Sequence, residues 1–206
     1  IGPNGAGKTT LFRLIAGEMR PSAGQIQMLG REVTRMPAHR RARLGLARTF
    51  QVSNLFVGLT VFENVRLGSQ TRGRDRWRFW SPASSDDEPG RAAREVLDHV
   101  GLVQRANDRV ADLSHGEQRQ LEVAMALVTE PRLLLLDEPA AGLATAERSR
   151  LRRLLEALPR SLPVLLIEHD MSLALGLADR VFCMHNGRVI ASGSPGGASS
   201  STPRSD

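Results

Sequence analysis

Residues 2–10 read GPNGAGKTT and match the pattern G-x-x-x-x-G-K-[ST], with Gly2, Gly7, Lys8 and Thr9 in register. The match commits this stretch to a strand end, a tight loop and a helix start. The chemistry accounts for the spacing. Glycines let the backbone curl so that successive N–H groups of Gly2, Pro3, Asn4, Gly5, Ala6, Gly7, Lys8, Thr9 and Thr10 can surround phosphate oxygens, proline excepted. The helix that follows adds its positive N-terminus, the lysine reaches the outer phosphates, and a hydroxyl can hold Mg²⁺. Lys8 is the only lysine in the chain, every other basic residue being arginine. The wide guanidinium fork does not replace a compact ammonium inside such a loop, which explains the lone exception. A loop of this kind normally follows a buried strand, here reduced to Ile1, so residues preceding Ile1 are expected in the parent protein.

Of 206 residues 41% are hydrophobic and 19 are glycine, the balance of a folded globular chain. At this length one core with subdivisions needs no disulfide or metal staple. A net charge of +6 raises the question of a nucleic-acid partner. The near-absence of lysine weakens that reading, because arginine here stands wherever either cation would serve. Cys183 is the single cysteine and can form no intrachain disulfide, which fits a reducing compartment. No apolar run approaches the ~20 residues that span a bilayer. A soluble chain is expected, with any membrane role going through a partner.

The helix after the loop carries Leu11, Leu14 and Ile15 at helical spacing and should end near Gly17 and Pro21. Residues 24–33 alternate around Gly30 and predict a short hairpin. Arg40, Arg41 and Arg43 read as a solvated helix face. Thr60 and Glu63 form a capping box that starts a helix, and residues 54–112 read mostly helical. Within them residues 72–80, RGRDRWRFW, hold both tryptophans. Interleaved arginine and aromatics suit single-stranded nucleic acid or a membrane interface, whereas the Pro-, Ser- and acid-rich run at 81–90 favours a solvated or partner-facing loop.

Residues 113–128 place Leu121, Ala124, Met125 and Val128 on one helix face, with Ser114 and Glu117 as a capping box. Gly116 would let an anion approach that helix start, although taken alone an ordinary helix start is the favoured reading. Four leucines at 133–136 then lead into Asp137 and Glu138, the pattern of a buried parallel strand delivering carboxylates to its C-terminal end. Asp137 can hold Mg²⁺ through water, and Glu138, on the other side of the pleat, can polarise a water. A helix carrying Leu151, Leu154, Leu155 and Leu158 follows, then an apolar strand at 164–167 ending in Glu168, His169 and Asp170. His169 is a candidate phosphate or water contact, while His39, His99, His115 and His185 read as surface or structural residues. Asn186 and Gly187 predict a hairpin turn. The Gly/Ser/Pro tract at 192–206 is expected to be disordered.

In this order, the phosphate loop, Gln51, LSHGEQ, LLLLDE and His169 resemble the ATP-binding-cassette ATPases. The resemblance implies an α/β P-loop NTPase fold, a RecA-like mixed sheet flanked by helices with an inserted α-helical subdomain. Its parts would be 1–53 and 113–191 for the core, 54–112 for the subdomain and 192–206 for the tail. It also implies that residues 2–10 are Walker A, Gln51 the Q-loop, residues 114–118 the signature, Asp137 the Walker B aspartate, Glu138 the catalytic glutamate and His169 the switch histidine. ATP and Mg²⁺ would be bound, the metal by Thr9, Gln51 and Asp137. Ser114, Gly116 and Glu117 would meet the ATP of a second cassette.

ARTFQ, LTVFENV, HGEQRQLEVAMAL, DEPAAGL and LIEHDM look like the cassettes of branched-chain and other hydrophobic amino-acid importers, with urea importers as relatives. Partners implied are transmembrane permease subunits, a second ATPase subunit and, indirectly, an external solute-binding protein, at the cytoplasmic face of the inner membrane, with no nucleic acid. His115 and Ala144 depart from the residues common in other cassettes, glycine and aspartate. The rival reading is a soluble cassette acting on nucleic acid or ribosomes.

Overall fold

The computed structural model describes residues 1–49, 55–70 and 87–195. Gln51, the arginine-aromatic run at 72–80 and residues 196–206 of the expected tail lie outside the described residues, whereas Ser192 and Gly193, expected to be disordered, pair with Phe182 and Val181.

Helix α1 (Lys8–Ala16) springs directly from the glycine loop and stops where Gly17 turns left-handed, as its sequence predicts. The hairpin at 24–33 forms as β1 (Gln27–Met28) and β2 (Arg31–Glu32). Helix α2 (Ala38–Arg43) leads into β3 (Leu46–Arg48). Helices α3 (Val61–Gln70) and α4 (Glu88–His99) come next. The remaining elements are α5 (His115–Leu127), β4 (Leu133–Asp137), α6 (Thr145–Glu156), β5 (Val164–Ile167), α7 (Met171–Leu177), β6 (Val181–His185) and β7 (Arg188–Gly193).

Strands β3, β4 and β5 form a parallel sheet with β4 in the centre. Leu134, Leu135 and Leu136 are fully buried, which explains the unbroken leucine run: a central parallel strand has no wet face. The pleat sends alternate side chains to opposite sides. Leu135 packs with Phe12 and Ala16 of α1, whereas Leu134 and Leu136 pack with Ala126 of α5 and Leu158. Each face is thus closed by a different helix.

Helices α3 and α4 share one apolar cluster with α5 and α6, in which Val61, Val65, Ala93 and Leu97 meet Leu121, Ala124, Leu151 and Leu154. Strands β6 and β7 form the second hairpin, with Asn186 and Gly187 both left-handed in its turn. Ile1 lies beside β6, its carbonyl accepting from the Met184 N–H at 2.9 Å.

One expectation is corrected. Arg40 and Arg43 are exposed, but Arg41 is only 1% exposed. Its Nε donates to Met36 O, Nη1 to the carbonyls of Leu14 and Ile15, and Nη2 to those of Val33 and Thr34. A basic residue on a short helix is ordinarily solvated, but here the end of α1 and the chain after β2 present carbonyls that only a forked donor satisfies together.

Candidate functional site

The loop at 2–10 is built against the second hairpin. A Cβ at Gly2 would lie 2.3 Å from the Met184 carbonyl oxygen, and one at Gly7 would lie 3.2 Å from the Cα of Gly187. The Gly187 N–H donates to Ala6 O at 3.0 Å, so the turn at 186–187 buttresses the loop from behind. Gly7 precedes α1 with φ 93°, a left-handed value that glycine adopts without steric cost. Lys8 is 7% exposed, and its Nζ donates to the carbonyls of Gly2 at 2.6 Å and Pro3 at 2.9 Å. The ammonium is therefore held within the loop that it would serve, at the positive end of a helix whose partner in α-helical chemistry is an anion.

Asp137 ends β4 with its side chain fully buried. Its Oδ2 accepts from Arg48 Nη2 at 3.1 Å, and its Oδ1 has no hydrogen-bond partner. Burial pushes the carboxyl above its ordinary range, and Arg48 opposes that shift. An unsatisfied buried oxygen costs about 1–3 kcal/mol, and a hard divalent cation is a group that a carboxylate with an unpaired oxygen of this kind fits. Mg²⁺ is suited to one carboxylate, a hydroxyl and substrate oxygens, and supplies neutralisation of phosphate charge. Helix α1, which carries Thr9, packs against β4, which ends in Asp137.

Glu138 lies past the strand end with φ 48°, so a left-handed turn, rather than the continued pleat expected from the sequence, directs its side chain. Backbone in this region stores strain and occurs at functional sites. Its N–H donates to Ile167 O at 2.9 Å, tying it to the end of β5. Two residues further on, His169 places Nδ1 3.8 Å from Glu138 Oε1, with the imidazole 59% and the carboxylate 23% exposed. The parallel pairing of β4 and β5 brings these two groups together from residues 31 apart in sequence. Such a pair can orient and deprotonate a water between them.

Three residues in this region carried no assigned role in the sequence. Glu168 is fully buried, with Oε1 accepting from Ala140 N and Oε2 from the N–H groups of His169 and Asp170. It fixes the turn after Glu138 to the turn that carries His169. A glutamate directly after the apolar strand at 164–167 was the available signal. Glu147 Oε1 accepts from Gly116 N at 3.0 Å and from Ser114 Oγ at 3.4 Å, and Oε2 from Ala144 N at 3.0 Å. Arg48 joins Asp137 to Glu18, and nothing in the local sequence marks it.

Ser114 and Glu117 form the predicted capping box. Among the described residues, the side-chain and capping bonds of Ser114, Gly116 and Glu117 run to one another, to Glu147 and to Arg105. None runs to the loop at 2–10.

Phosphate loop and strand edge together define the class: this is a P-loop nucleoside triphosphatase. Residues 1–141 match the ABC transporter family, and the chain belongs to that family as an ATP-binding and ATP-hydrolysing cassette. It is 39% identical over 202 residues to LivG of Salmonella typhimurium, a high-affinity branched-chain amino acid transport ATP-binding protein, covering 95% of this chain and 79% of that one. BraF of Pseudomonas aeruginosa, of the same description, is 39% identical with the same coverage. Among solved structures, an ATP-binding cassette of an ABC transporter in its ADP conformation aligns with a TM-score of 0.82 at 29% identity, over 94% of this chain and 78% of that one. A dimeric cassette bound to ADP and Pi aligns with a TM-score of 0.78 at 25% identity, over 94% and 83%.

Proposed function

We propose that this chain is the ATPase subunit of an importer for branched-chain amino acids or related small solutes, acting at the cytoplasmic face of the inner membrane through permease subunits. The observation that carries the reading is the likeness to LivG and BraF over 95% of the chain. No helix among the described residues is long and apolar enough to cross a membrane, so the solute path would belong to the permease, with an external binding protein delivering to it.

In this reading residues 2–10 bind the ATP phosphates, with Mg²⁺ held by Thr9, Asp137 and Gln51. Glu138 takes the proton of the attacking water, and His169 orients that water or the departing phosphate. Ser114, Gly116 and Glu117 face the ATP held by a second cassette, identical or related, which explains why their bonds stay away from the loop at 2–10. The cytoplasmic helices of the permease fit the groove of about 650 Å³ lined by Ala38, Ala42, Arg48, Leu55, Leu67 and Met125. Its apolar walls come both from the core segments 1–53 and 113–191 and from the helical segment 54–112, so a helix seated there would feel the two parts move.

The test is to tag the full-length protein, purify it from its native membranes and identify its companions by mass spectrometry. Multi-spanning permease subunits together with a second cassette are expected. Ribosomes or DNA-bound proteins in their place overturn the reading.

A further inference from the structure

Arg48 stands on β3 beside β4, in register with Leu135. Its side chain is 10% exposed and bridges two carboxylates: Nη2 to Asp137 Oδ2 at 3.1 Å and Nη1 to Glu18 Oε1 at 2.5 Å. Glu18 follows the C-terminus of α1, its N–H donating to Arg13 O. Arg48 also lines the groove between α2, β3 and α5. A single planar fork thus joins the helix that begins at the phosphate loop, the buried carboxylate at the sheet edge and the floor of the groove.

We infer that Arg48 is a positioning residue for Asp137, committing one carboxylate oxygen to the guanidinium so that the other is presented, desolvated and unpaired, to a divalent cation. The inference rests on the reading of Asp137 as the metal-side carboxylate. The geometry supports it in three ways. Asp137 is too buried for water to orient it, so its rotation is set by the protein. Its Oδ2 is taken by Arg48 while Oδ1 has no donor. Arg48 is itself held from the far side by Glu18, which fixes the direction in which the fork points. Groups that orient a metal ligand without touching the metal typically change metal affinity by about 10- to 100-fold when removed.

The experiment uses the full-length protein and adenylyl imidodiphosphate, an ATP analogue that is not hydrolysed. Binding is measured by calorimetry across a Mg²⁺ titration and again in EDTA. R48M is expected to raise the Mg²⁺ concentration at half effect by about tenfold or more, while affinity in EDTA stays within about twofold of wild type. R48K keeps the charge but not the fork and should fall between them; E18Q should shift the midpoint in the same direction by less. Circular dichroism checks the fold, and R48K carries the test if R48M does not fold. An unchanged Mg²⁺ midpoint overturns the inference. So does a lower one, the result of removing positive charge near a cation, and so does an equal loss with and without Mg²⁺, the result of general structural damage. D137N separates this failure from failure of the underlying reading: if D137N keeps wild-type Mg²⁺ dependence, Asp137 is not the metal-side carboxylate and both readings fall.

Discussion

The carboxylate of Glu147, in the first turn of α6, accepts a hydrogen bond from the Gly116 amide in the first turn of α5. A Cβ on Gly116 would lie 2.5 Å from that same carboxylate oxygen, so the glycine leaves the room in which the Glu147 side chain reaches the start of α5. One acidic side chain thereby satisfies orphan amides of both helices, through Gly116 N and Ala144 N. These bonds, from the Ala144 amide first and then the Gly116 amide, hold the Glu147 carboxyl below its ordinary value of 4.5.

A lowered carboxyl pKa contributes stability that is complete above the unfolded value and is lost as pH falls through the folded one. Glu63, bonded chiefly to the Thr60 amide, and Asp170, bonded chiefly to the Leu173 amide, are shifted the same way. Melting temperature should therefore fall as pH drops below about 4.5. E147Q should melt below wild type at pH 7 and converge with it in acid; parallel curves would show that Glu147 contributes nothing through its charge.

Asp137 has the opposite sign. Burial raises its carboxyl above 3.8, so the charged form costs stability at pH 7, and that cost disappears as pH falls through the raised value to 3.8. D137N is expected to raise the melting temperature of the nucleotide- and metal-free protein at pH 7 and to abolish Mg²⁺-dependent nucleotide binding. A lower melting temperature at pH 7 would contradict the desolvation cost.

Glu138 and His169 meet across the edge of β4 and β5. E138Q should lower ATP turnover by on the order of 10²-fold or more while leaving ATP binding intact. Turnover near wild type, measured by phosphate release, would remove Glu138 as the base.

Lys8 is bonded to two carbonyls of its own loop, and phosphate oxygens would compete for the same ammonium. Losing a charge-assisted bond of about 1.5–3 kcal/mol predicts that K8A binds ATP about 10- to 100-fold more weakly. Equal affinity by calorimetry would count against the loop as the phosphate site.

Arg41 donates to five carbonyls from the end of α1, the chain after β2 and the approach to α2. R41M leaves several buried acceptors unpaired, costing about 3 kcal/mol or more, which is about 6–12 °C in melting temperature for a chain of this length. R41K, with three donors on one nitrogen, should recover only part of it. A shift under about 2 °C in R41M would show the region relaxing to solvate those carbonyls.

Local chemistry fixed much of this protein within short windows of sequence. The glycine loop and its lysine, the capping boxes at Thr60 and Ser114, the Asn186–Gly187 turn and the four leucines of β4 each depend on residues within a few positions of one another, and backbone sterics or periodicity dictates the outcome. The partnerships across the sheet were not readable in that way. That Arg41 is a buried staple and not a solvated charge, that Arg48 grips Asp137, that Glu168 fixes the turn after Glu138 and that Glu147 caps two helices at once all depend on which carbonyls, amides and carboxylates the fold brings within hydrogen-bonding distance. Those distances are set by strand pairing and helix packing between segments 20 to 90 residues apart, a separation over which residue type alone specifies no partner.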